Sequence, residues 1–278
     1  MLQNDTVAPT PMAGAMPRRT GTRFRMLWLI IIAVTINYLD RAIIGIAAPG
    51  IRHDFGLNAA ALGLVFSAFG WTYLLFQMPG GIALDRFGNR VVYTVALIGW
   101  SIFTFLQGIV GGIGAFVGMR LGLGVFEAPC FPANSNVVGM WFPRAERGRA
   151  ISAYTAAEYV GLGFLSPLLF WMMAHLGWRS LFLSTGLIGI VFAAVWWFFY
   201  RDPYASKASE SEIAHIEAGG GLVRKEVVGT RFELRHVREL FRHRQMWGLF
   251  IGQFSVYSTF VFFLTWFPTY LATQRHMA

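Results

Sequence analysis

Five ionisable side chains stand inside stretches that are otherwise apolar: Asp40 and Arg41, Arg120 and Glu127, and Glu158. A charge near the centre of a lipid bilayer costs about 2.5–3.5 kcal/mol on insertion scales, so each needs a reason. Snorkelling to an interface is the plain reading for Arg41 or Arg120, and Arg120 lies within a few residues of the outer end of its stretch. Asp and Glu are too short for that escape. Arg120 and Glu127 are two helical turns apart, which places them on one face about 10.5 Å apart along the axis. Asp40 and Arg41 are neighbours and point about 100° apart, so they cannot share one contact. Asn37 sits one turn before Arg41 and lines its face; Tyr73 and Gln77 repeat that spacing. Pro129 and Pro132 follow Glu127 and kink or loosen the helix there. Together these residues describe a polar cavity suited to a ligand both anionic and rich in hydroxyls.

The same set supports coupling between a proton and an anion. A low-dielectric cavity disfavours a charged carboxylate, and a nearby arginine restores the charge. An anion that competes for the arginine then releases the carboxylate to take up a proton. In this reading Asp40 and Glu127 carry protons, Arg41 binds the substrate carboxylate, and Arg120 tunes Glu127. The residue pattern equally permits Arg41 and Arg120 to exchange roles.

The elements that must position these residues are membrane helices. Of 278 residues, 55% are hydrophobic and only 13% charged, about half the charge of an ordinary soluble domain. Seven runs are long enough to cross a bilayer: Met26–Pro49, Ala60–Ile82, Val91–Ile109, Ala115–Val138, Ile151–Leu176, Ser180–Tyr200 and Met246–Leu271. The fifth is the weakest, because Glu158, Gly161, Gly163 and Pro167 interrupt it. Eighteen of the 23 Lys and Arg residues fall on one side of these spans and three on the other. That bias puts the N-terminus in the cytoplasm. It also accounts for the net charge of +9 without nucleic acid.

The chain divides into a cytoplasmic tail (1–25), a six-helix bundle (26–200), a cytoplasmic linker (201–245) and the first helix of a second, incomplete bundle (246–278). Within the linker, Ser209–Glu217 reads as a short surface helix ended by Gly219-Gly220-Gly221. The glycines of spans 3 and 4 lack the spacing and the strand–helix context of a nucleotide loop. Gly108/Gly112, Gly114/Gly118 and Gly118/Gly122 instead have the small-xxx-small spacing of close helix packing. Cys130 reads as a buried structural thiol. The six histidines lie in loops or near span ends, without metal-ligand spacing, and no G-x-S-x-G elbow occurs. An enzyme is therefore disfavoured, and neither a cofactor nor a metal is expected. A ligand sensor that binds without transporting is the alternative use of such a pocket.

Several strings carry a family resemblance. Gly81-Ile-Ala-Leu-Asp85-Arg86-Phe-Gly88-Asn-Arg90, between spans 2 and 3, resembles the G-x3-D-R-x-G-x-R signature of the major facilitator superfamily. Its Asp and two Arg would clamp neighbouring helix ends. Asn37-Tyr38-Leu39-Asp40-Arg41 resembles the N-Y-[LV]-D-R pattern of that superfamily's anion:cation symporters. Phe66–Gly81, Phe126–Asn134, Trp141-Phe142-Pro143, Glu146-Arg147-Gly148, Gly219–Val223 and Phe263–Leu271 extend the likeness to the end of the chain. It is strongest to bacterial sugar-acid/proton symporters of the galactonate, glucarate and hexuronate type.

That resemblance implies an all-α major facilitator fold of twelve helices in two halves, working by alternating access. It implies a monomer in the bacterial inner membrane, with a sugar acid and protons as partners. Roles in proton coupling fall to Asp40, Arg41, Arg120 and Glu127; Tyr38, Tyr73 and Glu158 would contact the sugar acid. Relatives of the galactonate type usually carry Gln where this chain has Glu158. Because substrate sites in such a fold lie between the halves, the 278 residues are not expected to transport alone.

Overall fold

The computed structural model describes residues 20–223, 239 and 241–275. Arg18, Arg19, His276 and most of the basic stretch of the linker, His236 included, lie outside the described residues. Every regular element among the described residues is helical: α1 (Thr22–Phe55), α2 (Ala59–Gln107), α3 (Ile113–Glu127), α4 (Cys130–Trp141), α5 (Arg144–Leu176) and α6 (Trp178–Phe199). A 3-10 turn (Pro203–Ala205) leads to α7 (Glu210–Ala218), and α8 (Arg244–Val261) continues through a π turn (Phe262–Trp266) into α9 (Phe267–Gln274).

Five helical stretches among the described residues are long and apolar enough to cross a membrane: α1, α2, α3 with α4, α5 and α6. One of them, α2, has 49 residues, about twice what one crossing needs. Gly88 divides it, with φ 79° and ψ 164°, a conformation that only glycine takes freely. The two arms, 59–87 and 89–107, are the second and third spans of the sequence. The fourth span is likewise divided: α3 ends on Glu127 and α4 begins at Cys130, with Pro129 at the break. The fifth span, by contrast, runs unbroken through Pro167, and Ser166 Oγ donates to Leu162 O at 2.5 Å just before it. Hydroxyl bonds of this kind help membrane helices tolerate proline.

α1 lies at the centre, packed on α5 and α6, while α2 packs on α3 and α6. Large apolar side chains face outward over most of the surface, among them Trp71, Leu74, Leu75, Phe164, Phe198 and Phe199. In water such a surface would aggregate; against lipid chains it is the favoured one. The chain is a multi-pass membrane protein.

Helix approach uses some of the expected glycines. A Cβ on Gly122 would lie 2.3 Å from the Phe103 ring, and one on Gly108 would lie 2.9 Å from Arg179 O. Gly112, Gly114 and Gly118 instead face open space among the described residues, so the small-xxx-small expectation fails there. Closer backbone contacts come from glycines the spacing did not single out. Gly186 would meet the Phe105 backbone nitrogen at 2.6 Å, and Gly124 would meet Phe69 O at 2.5 Å.

In the signature loop, Arg90 donates to Trp197 O at 3.1 and 2.9 Å and its guanidinium lies 4.1 Å over the Trp197 ring. A cation thus sits at the C-terminal end of α6, where the helix dipole favours it. The linker helix is no loose tether. Ser209 caps it, accepting from Glu212 N at 3.3 Å, and Ile216 and Val223 enter the main core. The buried Glu212 carboxylate caps α1 in turn, accepting from Thr22 N at 3.0 Å, Arg23 N at 3.1 Å and the Thr20 hydroxyl. Burial opposes the charge on Glu212, but these hydrogen bonds outweigh it and hold its carboxyl below the usual range.

Candidate functional site

Arg41 of α1 and Glu127 at the end of α3 meet inside the bundle. Arg41 Nε donates to Glu127 Oε1 at 2.5 Å, and Nη2 lies 2.5 Å from the same oxygen. The Glu127 side chain is wholly buried and that of Arg41 is 8% exposed. The guanidinium carbon is ringed by four aromatic side chains, its distances to their centroids being 4.7 Å for Tyr73, 5.2 Å for Phe69, 5.4 Å for Tyr38 and 5.8 Å for Phe131. Ring faces are electron-rich, so each attracts a desolvated cation by about 0.5–2 kcal/mol. On the remaining side Nη1 donates to the Tyr257 hydroxyl of α8 at 3.0 Å.

Local sequence explains the arrangement. Phe69 and Tyr73 are one turn apart on α2 and stack at 5.2 Å, forming one wall. Gly124 lets α3 press against that wall, and Thr72 Oγ1 donates to Leu121 O at 2.7 Å to hold the contact. The break at Pro129 sits against Gly80, where an added Cβ would meet the proline ring at 2.9 Å. Glu127 is thereby the last helical residue before a fixed bend.

The other sequence-predicted residues fall around this pair. Asn37 is buried beside Glu127, and Glu158 of α5 is buried beside the Tyr38 hydroxyl and within electrostatic reach of Arg41. Arg120 lies 5.0 Å over the Phe69 ring and within electrostatic reach of Glu127, Asp40 and Arg41. Among the described residues no hydrogen bond joins Arg120 to Glu127. Both belong to α3, two turns apart, whereas Arg41 approaches from the facing helix; of the two exchangeable arginines, Arg41 holds the carboxylate. Asp40 is buried and faces the other way, toward Thr104 of α2 and Thr185 of α6. Gln77 is half-buried one turn beyond Tyr73, and among the described residues no hydrogen bond or ion pair joins it to the cluster.

Phe69, Phe131 and Tyr257 were not singled out by sequence. Phe69 lies one turn before Tyr73 on the same face and is findable that way; Tyr257, one of two tyrosines in the apolar seventh span, carries no such signal. Cys130 is buried, with Sγ 3.1 Å from the Tyr93 hydroxyl, which donates to Asn134 Oδ1 at 2.9 Å. A separate groove of about 300 Å³, lined by Phe76, Gly80, Phe87, Val92, Phe126 and Pro129, has only apolar walls and no group to orient a polar ligand.

Residues 10–278 match the family model of the Major Facilitator Superfamily, and the chain belongs to that family. It is 42% identical over 270 residues to the D-galactonate transporter of Escherichia coli O6:H1, covering 95% of this chain and 62% of that protein. It is 37% identical over 288 residues to a probable galactarate/D-glucarate transporter of Bacillus subtilis, covering 100% of this chain and 62% of the relative. The chain thus spans about 62% of the length of these curated relatives. Among solved structures it resembles a bacterial homolog of the human lysosomal transporter Spinster in an inward-facing, unoccupied conformation. The TM-score is 0.70 at 22% identity, over 95% of this chain and 58% of that one. The proton:xylose symporter XylE matches with a TM-score of 0.58 at 15% identity, over 73% of this chain and 50% of that one. The family and the names of these relatives are those of transporters, not of enzymes.

Proposed function

We propose that the chain is the N-terminal part of a secondary transporter that imports a sugar acid of the galactonate or glucarate type together with protons. Residues 26–200 form one half, which moves by alternating access against a second half begun by residues 246–278. The observation that carries the reading is the buried Arg41–Glu127 pair in its aromatic ring. A substrate carboxylate entering the ring competes with Glu127 for Arg41, and fork-shaped guanidinium donors suit either carboxylate. Displaced from Arg41, Glu127 is a desolvated anion, and neutralisation by a proton is its least costly course. Asp40 is the second proton carrier, and Arg120 supplies positive potential to both acids. Asn37, Tyr38, Tyr73, Gln77 and Glu158 provide the hydrogen-bonding wall for sugar hydroxyls.

The protein acts as a monomer in the bacterial inner membrane, with its N-terminus in the cytoplasm. Names of relatives 37–42% identical, given for galactonate and for galactarate and D-glucarate, support the substrate class. The test is uptake of labelled aldonates, uronates and aldarates by the full-length protein in proteoliposomes, with and without a protonophore. Accumulation of one class that collapses with the protonophore is expected. Binding without movement across the membrane would contradict transport.

A further inference from the structure

Asp40 occupies a pocket of its own. Its side chain leaves α1 on a different side from Arg41 and faces the hydroxyls of Thr104 on the second arm of α2 and of Thr185 on α6. Asp40 and Thr104 are each 1% exposed and Thr185 is 4% exposed. The charged groups that face this pocket are Glu127 and Arg120, both from α3. Neither Asp40 oxygen is paired in hydrogen-bond geometry with the protein, and neither is Thr104 Oγ1.

The two hydroxyls differ in what they can offer. Thr185 Oγ1 donates its only proton to Leu181 O at 2.8 Å, so toward Asp40 it presents lone pairs alone. An ionised carboxylate only accepts and finds no partner in that oxygen; a neutral carboxylic acid, which has one proton to give, does. Thr104 keeps its proton free and can donate to the carbonyl oxygen of the same acid. One donor and one acceptor make the set that a neutral carboxyl requires.

We propose that Thr104 and Thr185 are positioning residues that hold Asp40 as a neutral acid, Thr104 donating to its carbonyl oxygen and Thr185 accepting its proton. This rests on the reading of Asp40 as a proton carrier. The cradle gives that proton a fixed place away from the substrate-binding ring, so that Asp40 and Glu127 load separately.

Infrared difference spectra of the protein in lipid bilayers test it directly. An acid carbonyl band lost in Asp40→Asn identifies the protonated side chain. In Thr185→Val the ratio of this band to the carboxylate bands is expected to fall about fivefold at neutral pH, as for one lost buried hydrogen bond. Thr104→Val shifts the band as its carbonyl loses a donor, and Thr185→Ser and Thr104→Ser restore the wild-type spectrum. Should a valine variant fail to fold, the alanine variant at the same position gives the same comparison with serine. Absence of the band in the wild type, or an unchanged band in the valine or alanine variants, would overturn the cradle. Uptake separates the two claims: Asp40→Asn retaining full proton-driven accumulation would defeat the functional reading. An unchanged band with uptake lost in Asp40→Asn would defeat the cradle alone.

Discussion

Arg41 is paired with Glu127 and Tyr257 inside its aromatic ring, and in the proposed mechanism the substrate competes with Glu127 for it. Removing one partner of a buried pair leaves the other uncompensated, at a cost of about 3–5 kcal/mol. Arg41→Met is therefore expected to destabilise the bundle by about that amount. The double variant with Glu127→Leu is expected to recover most of it, as read from unfolding midpoints in mild detergent. A double variant as unstable as the single one would show that the ion pair is not what holds this site together. A different carboxylate, Asp54 at the C-terminal end of α1, accepts from Trp178 Nε1 at 2.9 Å and from Arg179 Nη1 at 2.7 Å. These donors hold its carboxyl down to about 2. A group whose folded value is lowered adds stability above its unfolded value, near 3.9, and loses it as pH falls toward the folded one. Thermal midpoints should thus drop between about pH 4 and pH 2, with a shallower drop in Asp54→Asn. The five buried charges could be read from sequence because charge is scarce there and Asp and Glu cannot snorkel. Which arginine pairs with Glu127 could not, since periodicity places residues on faces of one helix and leaves the facing helix unknown.

At the scale of elements, the site depends on how closely α3 lies against α2. In an isolated helix Gly→Ala gains up to about 1 kcal/mol of propensity. At Gly124 the new methyl would stand 2.3 Å from Thr72 Oγ1 and 2.5 Å from Phe69 O, a backbone atom that cannot turn aside. Overpacking of this kind costs about 1–3 kcal/mol and should win, so Gly124→Ala is expected to lower the unfolding midpoint. Gly118→Ala, with nothing within 4 Å, is the matched control and should leave it unchanged or raise it. A second element prediction concerns α7. Replacing Glu212 with Ala removes the cap of α1, worth about 1 kcal/mol, and should raise amide exchange at the start of α1 and along α7. Unchanged exchange at both would mean that the linker is held by Ile216 and Val223 alone. Spans were legible because about 20 apolar residues in a row have few other uses. The breaks at Gly88 and Pro129 had a sequence signal. The packing glycines were legible only in part, because spacing cannot say whether a neighbour is present.

For the whole molecule, α7 docks on the first bundle through Ile216. Read from composition, everything between 201 and 245 is linker. In the fold, residues through Val223 are tied to the ends of α1, α4 and α5: Arg147 Nη2 donates to Gly139 O at 2.9 Å and Gly220 O at 2.8 Å, and Leu222 N donates to Gly139 O at 3.2 Å. Residues 201–223 therefore pack against the first bundle. The contacts of Tyr257 and Phe260 with Arg41 and Tyr38 are among those that a movement of α8 would remake. The central claim is that substrate and Glu127 compete for Arg41, so that substrate binding loads a proton on Glu127. It is tested most directly by substrate-induced proton uptake in proteoliposomes of the full-length protein, recorded with an internal pH dye after adding galactonate or glucarate without a membrane potential. Wild type should acidify the lumen on substrate addition. Glu127→Gln, already neutral, should bind substrate yet acidify the lumen less, only Asp40 still carrying a proton. Undiminished acidification in Glu127→Gln would contradict the account.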